Sequence, residues 1–430
     1  MKLAIVGGGG VRVPLLVNGL IGRGLPFDRV DLFDIDLQRA RVMADLVRVR
    51  VPGVQVTTHV ELEDCVRAAE FVVTSIRVGG LAARRHDENT ALAHNLVGQE
   101  TVGPGGFAMA IRTVPVLAQY ARTIAALAPD AWVINFSNPV GIVTQAMCEA
   151  APLRIVGICD TPTELFAETA HALGQPVGEC TFDYVGLNHL GWLREITRDG
   201  QRLLPAVWDD ELLLSRIHSR PLFPSSYLAR LRLLPTEYVY YYEFPDRAVA
   251  NIKAAGTTRG EVVNRLTDEL FAALASGPSD PIAVYERYLA ARSASYMQIE
   301  SGQPSPNPPA PWAELTGYDR IAFDVMHAII HDTRAVIPLN VLNRGNIPDL
   351  ADDDIIEVPC AVGREGPQPR RVGPLPPQVR DLVLRVRQYE RRTIEAAHDG
   401  RRDVRAEALA VNPLVPSRDL AARLVDELAL

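Results

Sequence analysis

The sequence predicts an α/β protein: a doubly wound parallel sheet in residues 1–162, then an α+β domain in 163–430. Three observations carry this. Short apolar runs alternate with helical patterns through the first 160 residues. Four consecutive glycines follow the first run. Beyond 162 the alternation gives way to longer helical patterns with scattered strand-like pieces.

In order, the apolar runs are "KLAIVG" (2–7), "RVDLFDID" (29–36), "VQVTT" (54–58), "FVVTSI" (71–76), "WVINFSNP" (132–139) and "RIVGICD" (154–160). Continuous Val, Ile, Leu and Phe suit strands buried on both faces. Amphipathic stretches between them, such as 37–50 and 110–128, make right-handed βαβ units of Rossmann type. Further on, the patterns predict helices over 163–173, 209–219, 258–276, 281–300, 318–335 and 378–397. Strand-like pieces fall at 181–185, 192–197 and 354–361. "SGQPSPNPPAP" (301–311) and "GREGPQPRRVGPLPP" (363–377) read as loops.

With 430 residues, 47% hydrophobic and 22% charged, the chain can bury a large core. A net charge of −8 argues against nucleic acid as a partner. Five scattered cysteines without a CxxC pair point to reduced thiols and a cytoplasmic setting. The longest uncharged stretch, 131–148, carries Asn135, Ser137, Asn138, Pro139 and Gly141, which does not suit a membrane span.

"AIVGGGGVRVP" (4–14) reads as strand, tight turn and helix start. Gly7, Gly8, Gly9 and Gly10 allow close backbone approach, and helix-start N–H groups favour an anion. The third glycine of G-x-G-x-x-G is missing, since it falls at Arg12 or Val13. Asp34, at the end of the second strand, supplies the second signal. It can accept from ribose hydroxyls and repel a 2′-phosphate, which selects NAD.

In open α/β sheets, ligands sit beyond the carboxyl ends of the strands. Ser75 and Arg77, Asn135 and Asn138, and Cys159 and Asp160 follow the fourth, fifth and sixth strands, with Arg77 read as a further cofactor contact. Asn138 precedes Pro139, where a cis bond is accessible. Cys148, Cys180 and Cys360 read as small buried hydrophobes. Cys159 differs by standing at a strand tip. With His189 of "GLNHLGW" it could share a divalent cation, although a lone histidine between leucines is more often a core group. In "LLPTEYVYYYEF" (233–244), Tyr238, Tyr240, Tyr241 and Tyr242 either pack the core or include a phenol whose pKa a nearby cation lowers enough for base chemistry. Arg77, Arg84, Arg85, Arg112 and Arg259 suit a phosphorylated substrate in part and surface solvation in part.

These stretches resemble glycoside hydrolase family four, the NAD- and metal-dependent glycosidases, and most of all its 6-phospho-β-glucosidases. The resemblance runs nearly full length through "VGGGGVRVP", "DLFDID", "VGGLAARRHDE", "VGQETVGPGGFAMAIRTVP", "NFSNPVGIVT", "GICDTP", "GLNHLGW", "PTEYVYYY", "TTRGEVV" and "DDDIIEVPCAV". Such enzymes stand outside the two-carboxylate scheme of most glycosidases. The resemblance implies Cys159 and His189 as ligands of Mn²⁺ or another divalent metal, and Tyr238 as base. It implies Asn138, Arg84 and Arg259 on the substrate, with Arg84 and Arg259 on its phosphate. It also implies NAD⁺ oxidation at C3, proton removal at C2 and elimination at C1 assisted by Asp160, then water addition and return of the hydride. A homodimer or homotetramer is the family expectation.

Three departures keep alternatives open. Asp160 stands where β-specific members carry Asn, as in 6-phospho-α-glucosidases. "EYVYYY" replaces a segment that usually holds an arginine, and Leu342 stands where relatives often have one. An α-specific enzyme and one acting on unphosphorylated glycosides therefore remain beside the β reading. A lactate- or malate-type dehydrogenase shares the glycine turn, but no "GEHGDS"-like segment is present.

Overall fold

The computed structural model describes residues 1–218, 222–302 and 317–430. The first strands are β1 (Lys2–Val6), β2 (Arg29–Phe33), β3 (Gln55–His59), β4 (Phe71–Thr74), β5 (Trp132–Asn135) and β6 (Arg154–Gly157). They pair in parallel in the order β6-β5-β4-β1-β2-β3. All six predicted runs are strands, and the strand order reverses between β1 and β4, where such folds open a ligand crevice.

Beyond β6 the same sheet continues. β7 (Thr181–Leu187), β8 (Leu190–Arg198), β9 (Gln201–Arg202) and β10 (Leu234–Pro235) precede β11 (Ala335–Leu342), β12 (Ile355–Gly363) and β13 (Gly366–Pro369). The order β10-β8-β7-β12-β11 abuts β6, with Asn340 of β11 paired to Gly157. These strands are antiparallel. One hydrophobic core runs beneath both regions, with Leu3, Ile5, Tyr184, Trp192 and Tyr240 essentially inaccessible.

Several details differ from the sequence reading. β13 lies inside the stretch read as a loop at 363–377. β11 begins where a helix was expected to end; that helix spans Gly317–His331. The helix expected over 281–300 divides into Pro281–Ala294 and Gln298–Ser301, because Met297 takes a left-handed φ of 53°. The helix read as starting near 110 begins at Gly103 and runs to Leu127. Two helices not read at all, Arg402–Ala410 and Arg418–Glu427, pack Leu409 and Leu424 against Phe107 and Tyr389 in a second core. Cys360 is buried, but Cys148 and Cys180 are only half-buried. Beyond residue 302, the Pro-rich stretch at 301–311 lies outside the described residues. No helix among the described residues is long and apolar enough to cross a membrane.

Candidate active site

The glycine turn closes against two strands at once. Gly7 takes a φ of 102°, and a Cβ there would sit 2.2 Å from the Ser75 carbonyl oxygen. Its N–H and that of Gly8 both donate to the Phe33 carbonyl, each at 2.8 Å. Asp34 lies directly beside the turn: its Oδ2 accepts from Gly9 N at 2.8 Å and its Oδ1 from Asp36 N at 2.9 Å. Gly10 N donates to the Gly7 carbonyl at 3.0 Å, just before the helix Val13–Ile21. On the nucleotide reading, Asp34→Ala is expected to weaken NAD⁺ binding about 10–100-fold, the range of one charge-assisted hydrogen bond. Calorimetric titration measures it.

The next strand tips carry the polar groups. Asn135 is spent on the fold: Oδ1 accepts from Thr74 and from Ser137 N, and Nδ2 donates to Thr144. Asn138 precedes a cis peptide bond to Pro139, and its Oδ1 is buried with no hydrogen-bond partner among the described residues. Cys159 is 1% exposed and its thiol donates to Thr161 Oγ1 at 3.3 Å. Burial, then Glu357 and Asp160, push this thiol well above its usual range. Burial also raises the Asp160 carboxyl, against the pull of Arg12.

His189 sits at the turn between β7 and β8 with a φ of 60°. Its ring stacks on Tyr238, with centroids 3.7 Å apart and planes 10° from parallel. Its Nδ1 lies 3.0 Å from Thr101 Oγ1, whereas Nε2 is buried without a hydrogen-bond partner among the described residues. Burial pushes the imidazole down to about 3, so it is neutral. Tyr238 caps the helix Val239–Glu243, with its hydroxyl 3.4 Å from that of Tyr296. Its phenol is raised, not lowered as a base role first suggests: burial leads, and the Glu237, Glu100 and Cys159 charges add to it.

Four arginines gather alongside. Arg77 and Arg84 share Glu100, the latter at 2.9 Å, and Arg84 also holds Glu88 at 2.7 Å. Glu100 is held at about 2; burial opposes this, but Arg77, Arg84 and Arg292 outweigh it. Arg259 donates to Ser295 Oγ and to the Arg292 carbonyl. Burial, then Arg292 and Arg84, push Arg259 down to about 10. Beyond burial, neighbouring guanidiniums also help push Arg77 and Arg259 down, an excess of positive charge that suits an anion. Arg112 is engaged instead with Asp87, and Arg85 is exposed.

The structure thus brings Cys159, His189, Tyr238 and Arg84 into one electrostatically coupled group. Arg77 and Arg259 border it, while Gly7–Gly10 and Asp34 close on one another at the tips of the first two strands. No cluster of three or more His, Cys, Asp or Glu able to hold a metal occurs among the described residues. A thiol and a bare imidazole nitrogen still fit a divalent ion whose remaining positions are filled by substrate oxygens.

Sequence reasoning passed over several groups. Glu100 and Thr101 lie inside the quoted "GQETVGPGG", which carried the family resemblance but no reading of its own residues. Arg292 and Tyr296 lay in a stretch read as ordinary helix. Glu357 is buried and raised to about 7, chiefly by burial, while accepting from Tyr184 at 2.7 Å, Asn340 at 2.9 Å and Asn188 at 3.2 Å.

Comparison with known proteins identifies the family. The model of family 4 glycosyl hydrolases matches residues 2–175, and that of the family 4 glycosyl hydrolase C-terminal domain matches 184–415. The chain is 32% identical to a probable 6-phospho-beta-glucosidase of Bacillus subtilis, covering 100% of this chain and 95% of that one. It superposes on the 6-phospho-beta glucosidase of Thermotoga maritima with manganese, NAD⁺ and glucose-6-phosphate at a TM-score of 0.82, with 26% identity over 100% of this chain and 97% of that one. A 6-phospho-alpha-glucosidase from gut microorganisms, in complex with NAD and glucose-6-phosphate, gives a TM-score of 0.81 with 27% identity, over 100% and 96% of the two chains. Both family models and a relative 32% identical over the whole chain agree, and the chain belongs to glycosyl hydrolase family 4.

Proposed function

We propose that this protein hydrolyses 6-phospho-β-glucosides with NAD⁺ and a divalent cation, Mn²⁺ first among them. The observation that carries the reading is the guanidinium cluster of Arg77, Arg84, Arg259 and Arg292 beside the stacked His189–Tyr238 pair. It suits a phosphate at one end of a sugar whose C2–H faces a phenol. When bound, NAD⁺ supplies the hydride acceptor and the cation supplies Lewis-acid charge. His189 Nε2 and Cys159 Sγ hold the cation. Tyr238 takes the C2 proton, and Asn138 presents its amide to sugar hydroxyls. Asp160, kept protonated more readily by burial, gives a proton to the leaving oxygen. Five unpaired thiols support a cytoplasmic setting. The homodimer or homotetramer expected of the family belongs to the same proposal.

A second reading, 6-phospho-α-glucosidase, is favoured by one feature, the carboxyl of Asp160 next to the thiol. Hydrolysis of p-nitrophenyl 6-phospho-β- and α-glucosides, and of both unphosphorylated forms, tests the two together. Turnover of the β-phosphate alone, lost when NAD⁺ or Mn²⁺ is left out, is expected. Faster cleavage of the α-phosphate transfers the assignment to the second reading. Equal rates on unphosphorylated glucosides remove the phosphate from it.

A further inference from the structure

We propose that Gln99 and Thr101 are positioning residues that fix the tautomer of His189, placing its proton on Nδ1 and leaving the Nε2 lone pair bare for a cation. This rests on the reading of His189 as a metal ligand.

The argument runs along a chain of donors and acceptors. One side-chain atom of Gln99 accepts from two backbone groups, Thr101 N at 2.6 Å and Val102 N at 2.8 Å. A backbone N–H only donates, so that atom is the amide oxygen, Oε1. The same oxygen lies 2.9 Å from Thr101 Oγ1, which must therefore donate to it. A hydroxyl has a single proton. Thr101 Oγ1 consequently meets His189 Nδ1, 3.0 Å away, as an acceptor, and Nδ1 carries the hydrogen. Nε2 is then left with a lone pair, and it is the ring nitrogen that is buried without a hydrogen-bond partner among the described residues. An unmet buried acceptor is costly unless a donor or a cation meets it. The stack on Tyr238 fixes the plane in which the lone pair points.

The turn that does this is closely packed. Gln99 is 6% exposed. A Cβ at Gly105 would sit 2.2 Å from the Gln99 carbonyl oxygen, and one at Gly106 would sit 2.3 Å from that of Thr101. Between the two positioning residues, Glu100 turns the other way to Arg77 and Arg84. A single tight turn thus orients both the imidazole and the arginines.

The test uses the full chain. In metal-free protein labelled with ¹⁵N-histidine, long-range ¹H–¹⁵N correlations are expected to show His189 as the Nδ1–H tautomer. In Thr101→Val, the Mn²⁺ dissociation constant from calorimetry is expected to rise about 10–100-fold, the usual effect of losing an outer-shell partner. Thr101→Ser, which keeps the hydroxyl, should restore it, and NAD⁺ affinity should be unchanged in both. An Nε2–H tautomer with normal Mn²⁺ binding overturns the relay alone, as does unchanged Mn²⁺ affinity in Thr101→Val. A wild-type protein with Nδ1–H that binds no Mn²⁺ overturns the metal reading instead. Should Thr101→Val fail to fold, the wild-type spectrum decides.

Discussion

Tyr238→Phe is expected to lower turnover about 10²–10⁴-fold, the contribution of a positioned general base. It is also expected to abolish exchange of the substrate C2 proton with deuterated solvent, while NAD⁺ and Mn²⁺ bind as before. The substitution removes one oxygen and keeps the ring that stacks 3.7 Å from His189, so the local packing survives. What is lost is an atom in a defined place, 3.4 Å from the Tyr296 hydroxyl, which in turn donates to Glu237. The phenol is raised by burial and by the Glu237 charge, so by itself it holds its proton at neutral pH. Base chemistry there requires positive charge, of which Arg84 supplies part. A cation at His189 and Cys159 would supply the rest. Exchange that persists in Tyr238→Phe, measured by proton NMR of the recovered sugar, would take the base role from this residue.

The parallel half of the fold was legible because its strands are continuous apolar runs that no other structure explains as well. β11 was not legible in "AVIPLNVL": it follows directly on an amphipathic helix, and the helical period masks the boundary. The strand-tip residues Asp34 and Cys159 were found by position, since topology puts them in the crevice whatever their partners. Thr101, Glu100 and Arg292 could not be found that way. Their roles depend on contacts across long sequence separations, Thr101 to His189 and Arg292 to Glu100, which no local pattern encodes. The metal assignment lay between: position alone offered Cys159 and His189 as a pair that could share a cation, against the commoner reading of a core histidine, and resemblance tipped the balance.

Binding of Mn²⁺ is expected to strengthen about tenfold per pH unit between about pH 6 and 8, because each ion must displace one proton from Cys159. Burial, Glu357 and Asp160 all raise that thiol, so it is protonated across the range while a metal requires the thiolate. The sign follows: as pH rises, less work is needed to remove the proton, and affinity grows. His189 adds no slope, being neutral already with its pKa pushed down to about 3. Nor does the thiol give the metal-free fold a matching pH dependence, since below pH 8 it is largely protonated folded and unfolded alike. Calorimetric titration in buffers of different ionisation enthalpy counts the proton directly, and one per ion is expected. Cys159→Ala should lose both the slope and most of the affinity, since an imidazole nitrogen alone is a weak anchor for a divalent ion. A wild-type protein that binds Mn²⁺ with no proton release would move the cation away from the strand tip, and with it the charge that Tyr238 needs.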